Sequence, residues 1–168
     1  MIPLPVYWFL AIELAAVSWG DIRTQKIPNA WSLLNLGVFV LLLIFLPDHY
    51  PLHWQTFVYS TVFLVVGFTL FLLRVMGGGD TKFLFSFFLL VPMAAQAETL
   101  VLLLLSTVLI GGFLFITNLS KNHEKIVTYL KSGYIKGIKD CFGTKFSFAP
   151  VILLAWIWVG WETGILRF

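Results

Sequence analysis

Long apolar runs separated by short polar segments make up most of the chain. Six runs approach the length of a bilayer crossing, at residues 4–20, 30–46, 55–76, 81–96, 99–117 and 146–161. None alternates apolar and polar residues as the strands of a membrane barrel do, so each run predicts a helix. The pattern predicts an all-α integral membrane protein, a bundle of six transmembrane helices.

Several of the runs are short for a full crossing. A helix over residues 81–96 is about 24 Å long, whereas the hydrocarbon core of a bilayer is roughly 30 Å thick. The ends of such helices are therefore expected in or near the membrane interface. Residues placed there, between apolar helix and water, become the first candidates for chemistry.

Composition agrees with a membrane protein. The 168 residues are 60% hydrophobic and 11% charged, with a mean hydropathy of +0.94, which excludes an ordinary soluble domain. We expect residues 1–168 to form a single polytopic domain. No Lys or Arg precedes Tyr7 and positive charge follows the first run, so we expect that run to be retained as a helix and not cleaved as a signal peptide.

The basic residues predict the orientation. With the N-terminus outside the cytoplasm, every Lys and Arg except Arg167 falls in an inner segment: Arg23, Lys26, Arg74, Lys82, Lys121, Lys125, Lys131, Lys136, Lys139 and Lys145. The last six lie in a basic segment, residues 118–145, whose helical spacing of apolar residues predicts a helix lying on the anionic inner leaflet.

Two acidic residues lie at predicted helix ends on this inner side. Asp21 follows the first helix in "WGDIRTQKIPN" (19–29), and Asp80 follows the third in "GGGDTKF" (77–83). Acids at a membrane edge are costly and are functional candidates for that reason. Two adjacent carboxyl groups cannot both ionise easily, so one holds a proton while the other stays charged. Such a pair supports acid–base hydrolysis of an amide without a metal.

The residues around each aspartate suggest how it is positioned. Gly77, Gly78 and Gly79 permit positive φ and a tight break in the helix, and they leave backbone free beside Asp80 for an extended peptide. In the other segment, Pro28 ends the loop and Asn29 is expected to cap the next helix. Taken singly, an acid at a helix end is most often a solvated residue, and a run of glycines is most often a turn without a catalytic role.

Other candidates are weaker. Glu13 lies inside the first helix, where either a packing role as a neutral acid or a proton path is open. Asp48, His49 and His53 share a loop but are expected to be only a polar loop, and we predict no metal site. The single Cys141 allows no internal disulfide.

The segments "DIRTQKIPN" and "GGGDTKF" resemble the two signature segments of the type IV prepilin peptidases, membrane aspartyl proteases with a GxGD motif. "KFSFAPVILLAWIWVG" (145–160) is similar to the proline-containing final helix of that family. The resemblance implies that Asp21 and Asp80 are the catalytic pair. It places Gly77, Gly78, Gly79, Thr81 and Lys82 in the active-site loop, with Arg23, Lys26, Pro28 and Asn29 supporting the first segment.

The resemblance also implies a substrate. The family cleaves the short basic leader of pilin-like or flagellin-like precursors at the cytoplasmic face, before the apolar helix. Larger members carry a cytoplasmic domain with paired CxxC motifs and methylate the new N-terminus. This chain has one cysteine and nine residues, 21–29, between its first two predicted helices. It therefore resembles the compact forms that serve Flp (tight-adherence) pili or archaeal flagella, and we expect no methyltransferase activity, no cofactor and no nucleic-acid partner.

Two other classes stay open at this stage. A transporter could use Asp21 and Asp80 to bind a cation or relay protons, although both lie at one membrane surface and no inverted repeat is visible. An inactive scaffold of a secretion apparatus would have no need to retain both acids.

Overall fold

The computed structural model describes residues 2–73, 76–132 and 147–167. These residues form six α-helices and no strand, so the all-α expectation is confirmed for this part of the chain. The helices are α1 Leu4–Thr24, α2 Asn29–Phe45, α3 Trp54–Leu72, α4 Gly78–Leu90, α5 Met93–Ser132 and α6 Ala149–Glu162.

Pro92 divides the region in which a single helix over 81–96 was expected. Val91 is extended (φ −76°, ψ 121°), so α4 ends at Leu90 and α5 begins at Met93. A proline disfavours helical geometry at the residue before it and has no N–H to donate, which accounts for the break. Residues 93–96 therefore belong to α5, and α4 is only 13 residues long.

The carbonyl groups left free at this break are bonded by side chains. The Tyr50 hydroxyl donates to the Leu90 carbonyl at 2.6 Å. The Gln96 amide donates to the carbonyls of Phe88 and Val91, both at 3.1 Å. Because buried backbone carbonyls need partners, these bonds stabilise the short α4 at the end away from Asp80.

Helix α5 also differs from expectation. It was expected to end at residue 117, but it continues without a break to Ser132 and so includes residues 118–132, the first part of the basic segment in which a separate helix was expected. Neither Gly nor Pro occurs between Phe113 and Ser132, and the polar residues there are compatible with a helix. The change from apolar to polar marks a change of surroundings, not the end of the helix. Residues 133–146, with Cys141, lie outside the described residues.

Two helices in the described ranges are long and apolar enough to cross a membrane, Trp54–Leu72 and Met93–His123. The shorter helices Asn29–Phe45 and Ala149–Glu162 are also apolar. Six membrane-spanning helices and the outside position of the N-terminus stay predictions.

Helix α4 lies at the centre of the packing. It is buried from Phe83 to Leu90, apart from the half-buried Phe85. Its most extensive helix contacts are with α2 and α3, whereas α6 packs mainly on α1 and α5. We call α2, α3 and α4 the first helix group and α1, α5 and α6 the second. Asp80 belongs to the first group and Asp21 to the second, so a site containing both lies where the groups meet.

Aromatic rings help to hold α4 in place. The Phe88 ring stacks on Phe63 of α3 with centroids 4.3 Å apart. On another face of α4, the Phe87 ring meets Trp156 of α6 edge-on at 5.6 Å. Both geometries are favourable for aromatic pairs. They connect α4 to a helix of each group and orient the end that carries Asp80.

Candidate functional site

Asp21 lies in the last turn of α1 and not after it, because α1 runs to Thr24. Its side chain is buried, with 3% of the residue exposed. The Ala149 N–H donates to Oδ2 at 3.2 Å, and the Ser147 hydroxyl donates to the Asp21 carbonyl at 3.3 Å. Ala149 is the first residue of α6, so the carboxyl group lies at the N-terminus of this helix, where the helix dipole is positive.

The chain turns sharply after Asp21. Gln25 adopts a left-handed conformation (φ 51°, ψ 36°), and its N–H donates to the Asp21 carbonyl at 2.8 Å. The Thr24 hydroxyl bonds the carbonyls of Gly20 and Lys26, at 3.0 and 3.1 Å. The bond from the Gln25 N–H pairs one of the carbonyls that the helix end leaves free. Together these bonds fix the path of the loop that leads to α2.

Asp80 lies in the first turn of α4, where it caps the helix. Its Oδ2 accepts the Gly77 N–H at 3.2 Å, as an acid at the third helical position does in a capping box. Gly77 is extended, with φ −73° and ψ 146°, and none of the three glycines has positive φ. The expectation that they supply left-handed geometry is therefore wrong.

Close approach of backbone explains one of the glycines. A Cβ on Gly79 would lie 2.5 Å from the Ile27 carbonyl oxygen, so only glycine fits where α4 begins against the α1–α2 loop. Beside this contact, Lys82 Nζ donates to Asn29 Oδ1 at 3.4 Å. The two segments singled out in the sequence thus touch each other directly.

The two carboxyl groups interact. Burial, and next the negative charge of Asp21, raise the pKa of Asp80 to about 6, while the bond from the Gly77 N–H acts in the opposite direction. Asp80 is half-buried and precedes the apolar run expected to enter the membrane, residues 81–96. A neutral acid next to a carboxylate held by a helix N-terminus is an arrangement that can donate one proton and accept another.

The remaining site residues have supporting positions. The buried Thr81 donates its hydroxyl to the Gly77 carbonyl at 3.3 Å and lies against Gly67 of α3. The exposed Arg23 guanidinium lies 4.3 Å from the centre of the Trp19 ring. Lys26 is exposed as well. We therefore assign these side chains no part in the chemistry.

The cap of α2 also differs from expectation. Pro28 occupies the N-cap position, and Asn29 is the first helical residue with no capping bond from its side chain. Proline fixes the extended geometry that the cap position requires. The Asn29 side chain is left to accept the bond from Lys82.

Sequence reasoning missed the roles of Ser147 and Ala149. The available signal was Pro150: proline is favoured in the first turn of a helix, so it marks Ala149 as a residue at the start of the helix. What the sequence could not indicate is that this helix end faces Asp21. Within the described residues, no three side chains of His, Cys, Asp or Glu are grouped as metal ligands.

The family model of the type IV leader peptidase family matches residues 8–116, well over half of the chain and both aspartate segments. No curated protein and no solved structure matches significantly. The chain belongs to the type IV leader peptidase family.

Proposed function

We propose that the protein is an aspartic endopeptidase that removes the basic leader of pilin-like precursors, with Asp21 and Asp80 as the catalytic pair. Membership of the family supports an aspartic peptidase acting on pilin-like precursors. The observation that carries the assignment of the residues is that the start of α4, which bears Asp80, lies directly against the loop that follows Asp21. Burial, and next the Asp21 charge, raise the pKa of Asp80. The Asp21 and Asp80 carboxyl groups belong to different helix groups. They lie beside the contact of Gly79 with the Ile27 carbonyl, which leaves no room for a side chain.

The two aspartates take different roles in this proposal. Asp80 holds the shared proton, because burial and the Asp21 charge both favour its neutral form. Asp21 is the base, because its Oδ2 accepts the Ala149 N–H at the N-terminus of α6. The pair still titrates as a unit, so both roles require the other residue.

The reaction then proceeds by proton transfer in both directions. Asp21 takes a proton from water, the hydroxide oxygen bonds to the scissile carbonyl carbon, and the Asp80 proton moves to the carbonyl oxygen. The tetrahedral intermediate collapses as the C–N bond breaks. The proton on Asp21 passes to the leaving amine, and a hydroxyl of the intermediate returns a proton to Asp80, which restores the starting state.

We further propose that cleavage occurs at the cytoplasmic face, just before an apolar helix, on Flp-type or preflagellin precursors. The basic residues around the two segments favour this side. Residues 1–168 act as one domain, and anionic lipid contacts the basic segment 118–145. The connection from Thr24 to Asn29 leaves no room between α1 and α2 for a methyltransferase domain.

Cleavage of a defined peptide in liposomes tests the proposal. The substrate carries a Lys/Arg leader followed by an apolar helix, and a matched peptide has Ser in place of the basic residues. We expect a single cut between leader and helix in the first peptide, slower cutting in the second, and no added methyl group by mass spectrometry with S-adenosylmethionine present. Cutting that persists with Asp80→Asn would contradict the assignment of Asp80 to the catalytic pair.

A further inference from the structure

A polar cluster that the proposed reaction does not use lies inside the helix bundle. Glu13 of α1 is 4% exposed, while Asn35 of α2 and Ser86 of α4 are fully buried at 0%. The Glu13 carboxyl interacts with the Asn35 side chain, but neither of its oxygens has a partner at hydrogen-bonding distance. The Oδ1 of Asn35 is likewise buried and without a partner.

The hydrogen bonds of this cluster form a chain in which each residue donates to the next, from Asn35 to Ser86 and from Ser86 to the backbone. The Asn35 amide donates to Ser86 Oγ at 3.3 Å, and the Ser86 hydroxyl donates to the Phe83 carbonyl at 2.9 Å. What is missing is a donor for Asn35 Oδ1. A neutral Glu13 carboxyl group supplies one, which would complete a chain of bonds from α1 through α2 to the backbone of α4.

The neutral form is the one that this environment allows. The only ion pair among the described side chains joins Glu162 and Arg167 at the surface, so Glu13 has no cation beside it. A buried carboxylate without a cation costs far more than a buried neutral acid that is hydrogen-bonded. Glu13 can therefore serve as a donor across the boundary between the two helix groups.

Position along the helices connects this cluster to the aspartates. Glu13 precedes Asp21 by eight residues, about 12 Å along α1, and Ser86 follows Asp80 by six, about 9 Å along α4. Each member of the cluster thus shares a helix with one aspartate or packs on such a helix. A bond between α1 and the α2–α4 pair at this depth restrains how α1 slides or turns relative to α4.

We propose that Glu13 is a positioning residue, which through Asn35 and Ser86 holds Asp21 at working distance from Asp80. The inference rests on the proposed function of the pair. It does not place Glu13 in the chemistry, because Glu13 contacts neither aspartate. Small displacements of reacting groups have large effects, since about 1 Å can cost 10²-fold in rate.

A crosslinking experiment tests the inference without any substrate. Asp21→Cys and Asp80→Cys are combined in a Cys141→Ser background and treated with a short bifunctional thiol reagent. Position 13 carries Glu, Gln or Met. The Gln amide can donate to Asn35 as the neutral acid does, whereas Met has similar size and no donor. We expect equal crosslinking with Glu and Gln, and a several-fold slower reaction with Met.

Peptide cleavage provides the second measurement, with aspartates intact. We expect Glu13→Met to lower kcat about tenfold or more with little change in KM, and Glu13→Gln to retain most activity. Ser86→Ala should lower kcat also. Ser106→Ala is the matched control, because Ser106 is a fully buried hydroxyl of α5 with no hydrogen-bond partner, and it should leave kcat unchanged.

Each outcome decides the inference. Crosslinking that is as fast with Met as with Glu, or a Gln variant as impaired as the Met variant, would overturn it. Equal thermal unfolding temperatures in detergent separate repositioning from loss of the fold. If the unaltered protein cleaves no precursor, the proposed function fails, while the crosslinking rates still decide whether Glu13 holds the two helices in place.

Discussion

The raised pKa of Asp80 predicts an unusual dependence of cleavage on pH. The proposed mechanism needs Asp80 neutral and Asp21 charged. Because burial and the Asp21 charge raise the pKa of Asp80 to about 6 from an ordinary 3.8, the neutral form survives to higher pH than in a solvated aspartate. Activity should therefore fall on the alkaline side as Asp80 loses its proton.

The size of the fall follows from that pKa. Asp80 is about half neutral at pH 6, about one tenth neutral at pH 7 and about one hundredth at pH 8. We expect kcat/KM to drop about fivefold from pH 6 to 7 and about ninefold from pH 7 to 8. With the ordinary value of 3.8, the same decline would already begin about two pH units lower.

The assay is peptide cleavage in liposomes between pH 4.5 and 8.5. A leader without His avoids titration of the substrate in this range. Activity regained on return to pH 6 shows that the enzyme has not unfolded. A profile that is flat from pH 5.5 to 8, or that rises with pH, would refute the assignment of Asp80 as the neutral acid.

The stability of the fold should also fall as pH rises, and measuring it requires no catalytic activity. A group whose pKa is raised on folding contributes stability below its unfolded value, and that contribution is lost as pH rises through the folded value. For Asp80 this loss runs from about pH 4 to about pH 6, between its ordinary and its folded pKa. The Asp80→Asn variant cannot ionise at this position, so its thermal unfolding temperature should fall less between pH 4 and 7 than that of the unaltered protein.

Two further predictions concern the backbone around the site. Gly79→Ala puts a Cβ against the Ile27 carbonyl and should cost about 1–3 kcal/mol of stability and most of the activity, whereas Gly20→Ala meets nothing and should be stabilising by up to about 1 kcal/mol. Gln25→Gly relieves a left-handed φ and should stabilise by roughly 0.5–1 kcal/mol with unchanged kcat. Denaturant unfolding in detergent micelles measures the free energy of unfolding of each variant. Equal stability of Gly79→Ala and Gly20→Ala would contradict the prediction for Gly79.

Several features of this fold were predictable from the sequence because they depend on local chemistry. Apolar length predicted the helices, and the cost of an acid at a helix end made Asp21 and Asp80 candidates whose catalytic role stays a prediction. Each of these inferences uses only residues that are neighbours in the chain.

Other features depend on contacts between distant segments. Asp21 meets the N–H of Ala149, 128 residues away in the chain, and no local pattern shows that. The glycines before Asp80 suggested positive φ, yet the reason for Gly79 is the Ile27 carbonyl across the boundary. The limits of α4 and α5 were misplaced because the length of an apolar run indicates only which residues are buried or in lipid. The position of Pro92 decides where the helix breaks.

The central claim is that Asp21 and Asp80 form one catalytic unit. The most direct measurement compares cleavage of a pilin-like precursor by the unaltered protein, Asp21→Asn, Asp80→Asn and the double variant, at equal levels of membrane insertion. The account predicts that each single variant loses about 10³-fold or more of kcat/KM and that the double variant loses no more than either. Substantial cleavage by either single variant would contradict it.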